Sequence, residues 1–151
     1  MKWFVFVLCT VVCWGAYVPT LHYGQQALGK GSTALRAFLF VGLAYFLVAG
    51  LVLAYLHFAK AEPWEFTGRG ASVSTFAGVL GAIGALGIVF AIKMGGRPLY
   101  IAPLVFAGAP IVNTFVSMIW HKPAKPPGTL FYVGLLLTAA GAALVLRFKP
   151  T

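Results

Sequence analysis

Apolar residues in this chain come in five long runs, and polar residues gather in the gaps between them. The runs cover Trp3 to Leu21, Ala34 to Phe58, Val73 to Ile92, Pro98 to Trp120 and Thr129 to Phe148. Each is near the ~20 residues a helix needs to cross the hydrocarbon core of a bilayer. The run from Ala34 to Phe58 is long enough to tilt. None alternates with period two, so barrel strands are excluded and helices predicted. The gaps carry breakers: GKGS, AEPWEFTGRG, MGGRP and HKPAKPPG. No gap has room for a soluble domain. The expected fold is all-α, an integral membrane bundle of five transmembrane helices forming one domain over residues 1–151.

Composition agrees. The chain is 61% hydrophobic and 9% charged, against about 25% charged in an average soluble domain. Too few polar groups exist to cover a globular surface, so the bilayer is the expected partner. The net charge of +9 sets 11 Lys and Arg against Glu62 and Glu65. The cations stand singly at the ends of apolar runs, which suits headgroup contact and snorkelling. They form no basic patch, so nucleic acid is not an expected partner. The start, MKWFVFVLCTVVC, has the charge and apolar run of a signal peptide. No A-x-A-like site follows it, so it is read as a retained first span. Trp3, Trp64, Trp120, Tyr23 and Tyr132 fall near span boundaries, where aromatic belts form.

Five spans place the termini on opposite sides. One side holds Lys2, Lys60, Arg69, Lys122 and Lys125; the other holds Lys30, Arg36, Lys93, Arg97, Arg147 and Lys149. Orientation normally follows an excess of cations in cytoplasmic loops. Here the two sides differ by one residue. Either the chain inserts both ways round, which would allow an antiparallel homodimer, or something else, such as a partner membrane subunit, fixes it; the plainer reading is a weakly biased but single topology.

Small residues mark helix-packing faces. Ala77, Gly81 and Ala85 recur every fourth residue in the third span, and Gly134 and Gly141 stand on the fifth. Such faces let helix backbones approach closely, within one chain or between two. In the fourth span, Pro103 and Pro110 each remove a donor and are expected to kink the helix. Asn113 and Thr114 follow Pro110, with Ser117 one turn on. Asn113 is read either as a substrate contact or as an interhelical hydrogen bond, capping a carbonyl freed by Pro110. In the first span, Thr10, Trp14 and Tyr17 line one face. Trp14 is too deep for an interface anchor and is expected to face protein or a cavity. His22 to Gln26 is expected to be an interfacial turn.

No acidic residue lies in a span, so proton-coupled export of a cation by a midplane carboxylate is excluded. Arg36 and Lys93, near span entrances, could attract an anionic group. Cys9 and Cys13 run parallel on one helix, which suits a disulfide poorly. His22, His57 and His121 sit at span ends without metal-ligand spacing. Neither a metal nor another cofactor is expected, and no catalytic constellation is visible.

CWGAYVPT in the first span is similar to the Trp-Gly motif that opens the EamA-like domain of the drug/metabolite transporter superfamily. The Gly-rich third span, MGGRP and LVFAGAPIVNTFVSMIW look like that domain's third and fourth helices. GLLLTAAGAALVL resembles its closing helix. The resemblance spans about Phe4 to Leu146. It implies one five-helix half of a ten-span solute transporter, dimeric, working by alternating access in a bacterial inner membrane. It implies that Trp14 faces a central cavity and that Pro110 and Asn113 shape it. Substrate-binding candidates are therefore Trp14, Tyr17, Asn113, Thr114 and Ser117, for a small molecule of unknown class. The alternative is a non-transporting accessory subunit of a larger membrane complex.

Overall fold

A computed structural model describes residues 2–29, 31, 33–120 and 123–150. Lys30, Lys122 and His121, used in the charge and histidine readings above, lie outside the described residues. Five helices follow one another: α1 Trp3–Ala27, α2 Ala34–Ala59, α3 Gly68–Lys93, α4 Pro98–Trp120 and α5 Thr129–Arg147. The described residues contain no strand. All five helices are long and apolar enough to cross a membrane.

Two helix ends depart from the sequence pattern. α1 runs to Ala27 rather than Leu21, straight through Pro19. Proline withholds one donor, from the carbonyl of Gly15, but it leaves every later residue free to bond backwards. His22 and Gln26 are then one turn apart, and their side-chain nitrogens lie 3.0 Å from each other. The expected interfacial turn is therefore helix. α3 starts at Gly68 rather than Val73. Thr67, in extended backbone, caps it: its Oγ1 accepts from the Gly70 N–H at 3.2 Å. That cap offsets the poor helix propensity of two glycines in the first turn. α3 ends at the MGGRP link, where Gly95 takes φ +92° and its N–H bonds the Ile92 carbonyl. A side chain there would be strained.

The chain divides into two compact units. One comprises Met1–Pro19 with Gly96–Thr151, and the other Thr20–Gly95. In the Thr20–Gly95 unit, α2 and α3 pack together. Buried residues sit at the start of α2 (Ala34, Ala37) and along the last turns of α3 (Ala85, Ile88, Val89, Ile92). The α3 spacing of i, i+3, i+4 and i+7 puts those four on one stripe. Leu21 and Gln25 from the end of α1 are buried as well. Buried Thr33, just before α2, donates its hydroxyl hydrogen to the Gln25 carbonyl. This bond ties the α1–α2 connection to the end of α1.

In the other unit, α4 and α5 pack together. Their contact buries no α5 residue fully. Leu135, Thr138, Ala139, Ala142 and Val145 form a half-buried stripe at helical spacing. Gly134 and Gly141 stand off this stripe and are exposed. A Cβ added at either would meet nothing within 4 Å among the described residues, and the same holds at Gly81. Ala77 is exposed too, while Ala85 is buried. Of the five small residues expected at packing faces, Ala85 alone is in the buried stripe of this chain. The other four lie on open helix surface.

Four hydroxyls on the helices are spent locally. Thr10, Ser72, Thr114 and Thr138 each donate to the carbonyl four residues back, at 2.8–2.9 Å. This is the usual way a hydroxyl is satisfied on an apolar helix. Cys9 and Cys13 are free thiols on exposed positions of α1.

Candidate functional site

Trp14 lies near the middle of α1, eleven residues from one end and thirteen from the other. Its ring stands 6.0 Å from Tyr17, tilted by 50°, and 6.0 Å from Phe106 of α4, edge-on at 87°. The edge-on geometry places the positive rim of one ring against the negative face of the other. Trp14 is nonetheless 40% exposed, and Tyr17 is half-buried. The pair therefore forms a wall rather than a plug.

Phe106 also locates the α4 candidates. Residues 106, 110, 113 and 117 fall on one stripe of a 3.6-residue helix. The face that meets Trp14 thus carries Pro110, Asn113 and Ser117. All three are exposed. Asn113 lies about 10 Å along the axis from Phe106, at 1.5 Å per residue. The structure brings Trp14 and Tyr17 into contact. It sets Asn113 and Ser117 further along the α4 face that Trp14 abuts. Among the described residues, the Asn113 side chain makes no hydrogen bond.

Thr114 is one step off this stripe and half-buried. Its hydroxyl donates to the carbonyl of Pro110. The carbonyl that Pro110 deprives of a helical donor is that of Phe106, four residues back. Neither Thr114 nor Asn113 caps it, so the capping role read from the sequence is not made. By the same chemistry Pro19 withholds its donor from Gly15, next to Trp14. Two backbone acceptors without their helical donors therefore flank the Trp14–Phe106 contact, near mid-helix. Such groups in an apolar medium need water or a ligand donor. Pro103, exposed on α4, does the same to Leu99 near the helix start.

Phe106 escaped the sequence reading because a phenylalanine in an apolar run carries no signal of its own. The i, i+4, i+7, i+11 spacing with Pro110, Asn113 and Ser117 could have found it. The face has no charged residue and, among the described residues, no three metal-ligating side chains cluster anywhere. It can stack on flat or apolar groups and offer amide, hydroxyl and backbone acceptor contacts.

Compared with models of known protein families, with curated proteins and with solved structures, the chain matches none.

Proposed function

We propose that this chain is a multi-pass integral membrane protein and one half of a dimeric solute transporter. The carrying observation is the uncovered mid-helix face of α1 and α4. Trp14, Asn113 and Ser117 stay exposed there, beside two backbone carbonyls without helical donors. A membrane helix leaves polar groups uncovered where protein or a wet cavity meets them. The chain's own side chains do not fill that role, so a second copy supplies the other wall. The near-equal cation count suits two copies inserted in opposite senses. The open small-residue faces at Ala77, Gly81, Gly134 and Gly141 suit helix contact between copies. The order of motifs resembling an EamA-like half supports the same reading. The solute is a small molecule without need of a buried countercharge, since the face carries none.

Asn113→Cys in a Cys9→Ala/Cys13→Ala background tests this. In the membrane-embedded chain, a water-soluble thiol reagent should label Asn113→Cys, and a short cross-linker should join two copies. Labelling by lipid-partitioning reagents alone, with the chain monomeric or held by a different subunit, would leave the accessory role instead.

A further inference from the structure

A second feature lies in the Thr20–Gly95 unit, away from the α1–α4 face. A cleft of about 360 Å³ is lined by Gln25, Gly31, Thr33, Ala34 and Lys93. Gln25 is 7% exposed, and its side-chain Nε2 is buried without a hydrogen-bond partner. An orphaned amide donor costs about 1–3 kcal/mol unless something accepts from it. Thr33 sits at the cap position of α2, but its side chain does not cap that helix. Its hydroxyl donates to the Gln25 carbonyl. Among the described residues no side chain accepts from the first-turn N–H groups of α2, at the positive end of a 26-residue helix. Lys93, the last residue of α3, also lines the cleft and brings a cation to it; its Nζ lies 5.8 Å from the Phe90 ring. No carboxylate lines the cleft among the described residues. Glu62 and Glu65 lie in the α2–α3 loop, at the opposite ends of those helices. The cleft therefore joins the N-terminus of α2, the Gln25 amide and Lys93 with no carboxylate among the described residues, a balance that suits an anion.

The surroundings say which anion. A groove of about 480 Å³ adjoins in sequence, lined by Leu21, Gly24 and Leu28 on one wall and Ala37, Val41 and Ala44 on the other. Its lining is almost wholly apolar. Gly24 precedes Gln25 of the cleft, and Ala37 lies one turn beyond Ala34. From Ala37 to Ala44 the groove runs about 10 Å along α2, toward mid-helix. A charged recess at a span end, continued by an apolar channel along the span, matches a phosphate headgroup with its acyl chain. We infer that this unit binds an anionic phospholipid, with the phosphate in the Gln25–Thr33–Lys93 cleft and one acyl chain against α2. This rests on membrane insertion but not on transport or dimerisation.

Native mass spectrometry of the full chain in neutral detergent, with equal phosphatidylglycerol and phosphatidylcholine, tests it. The wild-type chain should retain phosphatidylglycerol about fivefold over phosphatidylcholine. Lys93→Gln should lower that retention about fivefold, Lys93→Arg should keep it, and Ala44→Trp should lower retention of both lipids. Gln25→Leu should act like Lys93→Gln. If that buried change prevents folding, the Lys93 pair, on an exposed side chain, still decides, with helix content checked by circular dichroism. Equal retention of the two lipids, or no effect of Lys93→Gln, overturns the site. Displacement of the lipid by excess inorganic phosphate overturns the lipid assignment in favour of a free anion. Absence of the chain from the membrane fraction would instead sink the membrane reading itself.

Discussion

In the Thr20–Gly95 unit, α2 and α3 bury six residues between them; in the other unit, α5 buries none. Both units are built from apolar helices joined by short links, so hydrophobicity does not explain the contrast. Residue size and spacing do. The last turns of α3 set Ala85 beside Ile88, Val89 and Ile92, and α2 begins with Ala34 and Ala37. Small and branched side chains are buried there, where α2 and α3 pack together. On α5 the glycines fall off the stripe that meets α4, and large residues such as Leu136 and Leu137 point away. Polar groups follow the same division. Gln25 and Thr33 are enclosed in the first unit, whereas Asn113 and Ser117 stand open in the second. The enclosed polar pair forms part of a recess within the chain. The open pair stands on an uncovered face.

The largest effect that separates the units is on packing. Val89→Ala should destabilise the fold by about 2 kcal/mol, because a fully buried side chain leaves a cavity. Leu136→Ala on α5 should stay within about 0.5 kcal/mol. Unfolding in mixed detergent, followed by circular dichroism, measures both; similar losses would erase the contrast. Next comes the enclosed hydrogen bond. Thr33→Val removes the donor to the Gln25 carbonyl and should cost about 1 kcal/mol in the same assay. It should also speed amide exchange at the start of α2 more than in α4 or α5. Equal change everywhere would show that the bond does not hold this unit in particular. The smallest stability effect belongs to the open face. Asn113→Ala should change stability by less than about 0.5 kcal/mol, since the side chain bonds nothing within the chain. If the α1–α4 face carries solute, the same substitution should abolish flux in reconstituted vesicles. A large loss of stability would mean that Asn113 is structural glue after all.

The helices themselves were readable from the order of residues. Apolar length, period and breakers determine a membrane-type helix locally, because each of its backbone bonds closes within four residues. For that reason α2, α4 and α5 end within a residue of the expected positions. The two displaced ends are local too, though they turn on single side chains. Thr67 starts α3 early by capping it, and Pro19 bends the rules of α1 without ending it. The presence of Trp14, Tyr17, Pro110, Asn113 and Ser117 as candidates was also a matter of sequence, since polar and aromatic residues deep in apolar runs stand out by composition.

What the tertiary structure decided is which faces meet. The sequence marks small-residue stripes on α3 and α5 alike, yet Ala85 is buried and Gly81, Gly134 and Gly141 are not. Nothing in the periodicity ranks one stripe over another, because lipid and protein are both acceptable neighbours for an apolar face. Phe106 gained its place by meeting Trp14, a contact between residues 92 positions apart. The stretch from His22 to Gln26 shows the same limit most clearly. Its polarity reads as a helix end near water until the α2 connection folds back, where Thr33 bonds the Gln25 carbonyl and Gln25 is largely buried. Burial depends on what packs from elsewhere in the chain, and that long-range pairing is written in no local pattern.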